Sequence, residues 1–92
     1  DDGNNFAEPI SPGVINPPRY GDATLRLELS QTTEDGKTIL RDIEKVTVNP
    51  SSFPYTKNDI IGETGLYEGS VRVYLTFGGV EHDCGSCLVD FQ

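Results

Sequence analysis

Residues Glu63–Phe91 read ETGLYEGSVRVYLTFGGVEHDCGSCLVDF. Within them Val71, Val73, Leu75 and Phe77 alternate with Ser70, Arg72, Tyr74 and Thr76. Successive strand side chains point to opposite faces, so this alternation gives one apolar face and one wet face. The β-branched and aromatic content suits a pleated, half-buried surface. Gly78-Gly79 follows at once and supplies the positive φ angles of a tight hairpin turn. The pattern predicts a hairpin whose returning strand is short, Leu88–Phe91, with Val89 and Phe91 on one face. Gly78–Cys87 is read as the loop between them.

The residues entering that strand are Glu63-Thr64-Gly65-Leu66-Tyr67-Glu68-Gly69. This run resembles the tyrosine corner of immunoglobulin-like sandwiches. The resemblance implies that Tyr67 sends its hydroxyl back to an upstream backbone group and pins the crossing between sheets. Gly69 stands where antibody-type domains carry a cysteine, and the chain has no Trp. The family's inter-sheet disulfide and buried Trp are therefore not implied. The plain alternative is a Gly-containing turn ahead of a strand. Both readings lead to antiparallel β structure.

Upstream, Asp22–Gln31 is predicted as a strand, with Leu25, Leu27 and Leu29 inward and Thr24, Arg26 and Glu28 outward. Glu34-Asp35-Gly36-Lys37 marks a turn, Asp-Gly being a hairpin signal. Lys37–Asn49 mixes two periods. Ile39, Leu40, Ile43 and Val46 have helical spacing, while Lys45-Val46-Thr47-Val48 has strand spacing. The expectation is a strand from Thr38 to about Arg41, a kink near Asp42, and a strand from Glu44 to Val48. Pro50–Gly62 reads as loop, with Phe53, Tyr55, Ile60 and Ile61 capping the core.

Residues 1–21 read DDGNNFAEPISPGVINPPRYG. Their four prolines exclude a helix and most central-strand pairings. Residues before proline are pushed to extended conformations. The segment is expected to form an extended arm of up to ~60 Å. It is either a tether to a lipid anchor or neighbouring domain, or an arm crossing to another subunit through Phe6, Ile10, Val14 and Ile15. The domain division is an arm over 1–21 and a β-sandwich over 22–92.

The 92 residues carry a net charge of −8, with no Met. A chain of this length makes one domain and buries only about 60–65% of its unfolded surface. The acidic balance disfavours nucleic acid and anionic membranes, whose phosphates would repel it. No apolar run approaches the ~18 residues of a membrane-spanning helix. The missing Met fits a processed or excerpted chain. The expected setting is extracellular, cell-surface or periplasmic.

Cys84-Gly85-Ser86-Cys87 is the first chemical candidate. On a regular strand the two thiols lie on opposite faces and bridge only if Gly85-Ser86 makes a turn. In an exported chain the expectation is a Cys84–Cys87 disulfide shaping the loop. Redox catalysis would need the first Cys at a helix N-terminus, where the dipole lowers its pKa. Here strand sequence follows instead. A zinc site from His82, Cys84, Cys87 and Glu81 or Asp83 lacks a second Cys/His pair, so no metal site is expected. His82 is the sole His, and no nucleophile motif, phosphate loop or dinucleotide fingerprint is present. No enzyme activity and no cofactor are expected, calcium at the acidic turns being the one ion considered. Tyr20, Tyr55 and Tyr74 are the exposed aromatics a binding face would use.

These readings lead to an all-β fold, a small antiparallel immunoglobulin-like β-sandwich with an extended N-terminal arm. The expected function is a non-enzymatic structural subunit or module of a surface assembly. Its arm or an edge strand would contact a neighbouring subunit. The alternative is a surface-anchored binding module for carbohydrate, protein or calcium, using Tyr74, His82 and Asp83 around the Gly78–Cys87 loop.

Overall fold

The computed structural model describes residues 22–52, 55–63, 65–66 and 68–91. The arm with Phe6, Ile10, Val14 and Ile15, together with Tyr20 and the corner residue Tyr67, lies outside the described residues. The described part is mostly β. Four strands, β1 Ala23–Thr32, β2 Thr38–Val48, β3 Glu68–Phe77 and β4 Val80–Asp90, form one sheet in the order β2-β1-β3-β4. Every neighbouring pair is antiparallel.

β1 follows its leucine alternation. Ala23, Leu25, Leu27, Leu29 and Gln31 are buried, and the intervening residues face the other side. Val71, Val73 and Leu75 of β3 lie opposite them on the same face. Val48, Val89, Phe91 and Ile60 complete the core. Burying each aliphatic side chain is worth about 1.5–3 kcal/mol, so these two central strands supply most of the hydrophobic stabilisation of the described part.

β2 corrects the expectation of two strands with a kink. It is continuous, but Leu27 faces Glu44 while Glu28 faces Asp42. Ile43 is the extra residue of a β-bulge. A bulge sets two residues of one strand against one of its partner and shifts the phase of the alternation. Ile39, Arg41, Glu44, Val46 and Val48 therefore share the core side, with Ile43 packed against the core. The apparent helical spacing is two strand patterns out of phase.

β4 is a second correction. The turn is the two-residue Gly78-Gly79, with φ of 60° and 76°, and the ladder starts immediately with Phe77 opposite Val80. Two positive φ angles match the twist of paired strands. Gly78–Cys87 is thus turn and strand rather than loop. Glu81, Asp83 and Gly85 have low strand preference, but pairing with β3 overrides it. The ladder slips once, between Arg72 opposite Ser86 and Tyr74 opposite Asp83. Val73 faces the pair Cys84-Gly85, and Gly85 takes the bulge conformation at φ 102°.

β2 and β3 are both antiparallel to β1 and so parallel to each other. Their connection must return the length of the sheet, about 33 Å for ten residues. It starts in a single 3-10 turn, Pro50–Ser52, whose Ser51 N–H donates to Asn49 Oδ1 at 2.9 Å. It then buries Ile60 in the core. Buried Gln31 fixes its far end: Gln31 Oε1 accepts from the Glu63 N–H at 3.0 Å, and Nε2 donates to the Leu66 carbonyl at 3.4 Å. A buried amide needs such partners, since an unmet one costs about 1–3 kcal/mol.

Two substitutions test this frame by urea unfolding. Leu27→Ala is expected to cost about 2–5 kcal/mol, as a large-to-small change in a packed core. Gly85→Ala is expected to cost about 1 kcal/mol or more, because alanine is strained at that φ. An unchanged midpoint for Gly85→Ala would contradict the bulge.

Candidate functional site

The face opposite the core carries the densest chemistry. Arg26 rises from β1 and meets all four strands. Its Nε and Nη2 donate to both carboxylate oxygens of Glu81 on β4, at 3.0 and 3.1 Å. Its Nη1 donates to Asp42 on β2 at 2.8 Å and to Glu28 on its own strand at 3.3 Å. Its guanidinium carbon lies 4.2 Å from the centroid of the Tyr74 ring on β3. The outward alternation of β1 and β3 places Arg26 and Tyr74 directly opposite each other. The β2 bulge sets Asp42 opposite Glu28.

A planar guanidinium suits this arrangement, since it forks to a carboxylate and stacks on an aromatic face at once. The hydrogen bonds Arg26 donates to Glu81 and then to Asp42 raise its pKa further above its ordinary value. The Glu81 carboxyl is held below its usual range, chiefly by its bond to Arg26. A second pair stands beside this one. Arg72 Nη1 donates to Asp83 at 2.8 and 3.0 Å, and the Gly85 N–H of the bulge donates to the same carboxylate at 2.9 Å. The bond from Gly85 and the charge of Arg72 hold the Asp83 carboxyl low.

The expected binding residues are divided between the faces. Tyr74 and Asp83 are cross-strand partners on this outer face. His82 lies on the other side of β4, where it stacks on Phe77 with centroids 4.1 Å apart and planes 14° from parallel. Alternation along β4 forces the separation. Phe77 and Val80, 44% and 54% exposed, make the hairpin tip apolar around this stack.

The disulfide expectation is corrected. Cys84 and Cys87 are free thiols. The bulge removes the turn they would need and puts both on the core side of β4, Cys87 opposite Val71 and Cys84 packed against the core. They stand three positions apart on a paired strand, with no turn between them to bring the sulfurs into bridging geometry. Desolvation raises both thiol pKa values. Among the described residues, no group of three or more His, Cys, Asp or Glu side chains is placed to hold a metal ion.

The core side has a smaller polar cluster. The Tyr55 hydroxyl donates to Glu44, and burial followed by that carboxylate pushes its pKa up to about 12. Lys57 pairs with Glu44 at 4.0 Å. Arg41 pairs with Glu63 at 3.6 Å and donates to the Ile61 carbonyl. These contacts tie the connection to the β2 edge. The sequence reading placed Arg26 outward but did not see its network. The signal available was the outward alternation on β1 combined with an acidic kink at Asp42.

No family model, curated protein or solved structure matches the chain.

Acid titration tests the network. Carboxylates whose folded pKa is depressed add stability above their unfolded pKa and lose it as pH falls through the folded value. Glu81 and Asp83 both follow this sign. The urea midpoint is therefore expected to hold from pH 7 to about 5.5 and to fall below about pH 4. Arg26→Met is expected to flatten that fall, and an identical acid profile in the variant would contradict the network.

Proposed function

We propose that the chain is a non-enzymatic structural subunit or module of an extracytoplasmic surface assembly. Its arm over 1–21 or an edge strand contacts a neighbouring subunit. The fold proposed with it is a small immunoglobulin-like β-sandwich, supported by Ile60 and Tyr55 of the connection packing into the core face of the sheet. The observation that carries the functional reading is the pair of sheet edges beyond which no further strand stands among the described residues. β2 and β4 are each 11 residues long and each ends the sheet on one side. An edge of that length offers a row of unpaired backbone groups to an incoming strand. The outer-face charges support the same reading, because Glu28, Asp42, Glu81 and Asp83 are engaged by arginines. They serve as ties between strands. Placement outside the cytoplasm draws on the acidic charge, and the free thiols do not contribute to it.

A second reading has one observation in its favour. The exposed tip of Phe77, Val80 and stacked His82 suits a surface-anchored module that binds carbohydrate or protein.

The test is the native mass of the full chain and of a chain lacking residues 1–20, measured with a thiol reductant at several concentrations. A multimer that falls to monomer without the arm supports arm exchange. A multimer in both cases assigns the contact to an edge strand. A monomer in both cases at all concentrations overturns the assembly reading and favours the tip.

A further inference from the structure

The outer face is neutralised unevenly. From the hairpin tip to the middle of the sheet, its acidic side chains meet Arg26 or Arg72. At the other end, Glu68 of β3 and Asp90 of β4 are directly opposite each other. Neither has an ion-pair or hydrogen-bond partner among the described residues. Like charges facing across two strands are destabilising. Between them and the arginines lies Leu88, 87% exposed, which the Cys84-Gly85 bulge has turned onto the polar face. Leu88 walls a shallow groove lined by Ser30, Thr32, Glu68, Gly69 and Ser70.

This end of the sheet is also where β4 is regular. After the bulge, Ser86 to Asp90 pair in unbroken register with Arg72 to Glu68, and among the described residues no strand pairs with the outer side of β4. The bulge interrupts the edge before that point, so an added strand finds five uninterrupted residues here.

We propose that the outer edge of β4 from Ser86 to Asp90 is a docking strand for an extended, basic segment of a partner protein. A lysine or arginine of that segment seats against Glu68 and Asp90. An apolar side chain two residues along covers Leu88, and the hydroxyls of Ser30, Thr32 and Ser70 line the groove beside them. The period of two along a strand puts a cation and an apolar group on the same side, matching Asp90 and Leu88. A second copy of this chain fits less well. Pairing β4 with β4 would bring two Glu68/Asp90 carboxylate pairs to one interface between chains of charge −8. The inference deepens the edge-strand reading above and rests on it.

The test uses the full chain and a labelled six-residue peptide of the order lysine, threonine, valine, threonine, lysine, threonine, which puts lysine and valine on one face, followed by fluorescence anisotropy and amide hydrogen exchange. Saturable binding is expected, with exchange slowed at Ser86–Asp90. Glu68→Gln with Asp90→Asn, and separately Leu88→Ser, are each expected to weaken binding at least tenfold. Asp22→Asn with Asp59→Asn makes the same change in net charge elsewhere and is expected to alter affinity less than twofold. Equal loss in both double variants would reduce the binding to general attraction and overturn the proposal, as would protection away from Ser86–Asp90 or no binding. Self-association abolished by Glu68→Gln with Asp90→Asn, without peptide binding, would make the occupant a second copy and overturn it too. Peptide binding to a chain that stays monomeric would uphold the docking strand while removing the assembly reading. A multimer that ignores the peptide would do the reverse.

Discussion

Each edge strand of this sheet holds one residue more than its partner can match, and most of the structure follows from that. A strand has a side-chain period of two, so one inserted residue exchanges its faces. In β2 the insertion at Ile43 returns Arg41 and Ile39 to the core side, and in β4 the Cys84-Gly85 bulge returns Cys87 and Val89. Without the second reset, Leu88 would turn inward and Val89 outward, and the buried position of Val89 would be lost. The same reset puts both thiols on the core side of β4 and strands Leu88 in solvent.

The two faces are held by different physics. The core side depends on apolar burial from β1 and β3, closed over by a connection that buried Gln31 anchors. The outer side depends on Arg26, which ties four strands through three carboxylates and one aromatic ring. Exposed ion pairs are individually worth about 0–1 kcal/mol. A shared, mostly covered guanidinium, 19% exposed, is better placed than an isolated pair.

The sequence made the centre of the sheet legible and its edges illegible. The leucines of β1 and the valines of β3 alternate without interruption, so period alone finds them. Asp-Gly and Gly-Gly likewise mark turns through backbone freedom at single positions. β2 and β4 hide from the sequence for one shared reason: a bulge breaks the period, and a broken period imitates a helix, a kink or a loop. Asp42 drew notice as a kink because the phase changes beside it. In β4 the polar run Glu81-His82-Asp83 hid a strand that only pairing with β3 stabilises. The outer-face network was out of reach because Arg26, Asp42 and Glu81 come from three strands whose order the sequence does not encode locally. Tyr74 and Asp83 are cross-strand partners, and alternation alone separates His82 from them.

An assembly role is our proposal, and it leans on the same architecture. Among the described residues no strand flanks either long edge, and in the proposal the bulges decide which lengths are straight enough for a partner. The account therefore stands on the register of β3 with β4. The most direct measurement is the pattern of cross-strand nuclear Overhauser contacts between their backbones in solution. Tyr74 paired with Asp83 together with Ser70 paired with Leu88 is the result this account requires. An unbroken ladder, with Tyr74 still opposite Asp83 but Ser70 opposite Cys87, would contradict it.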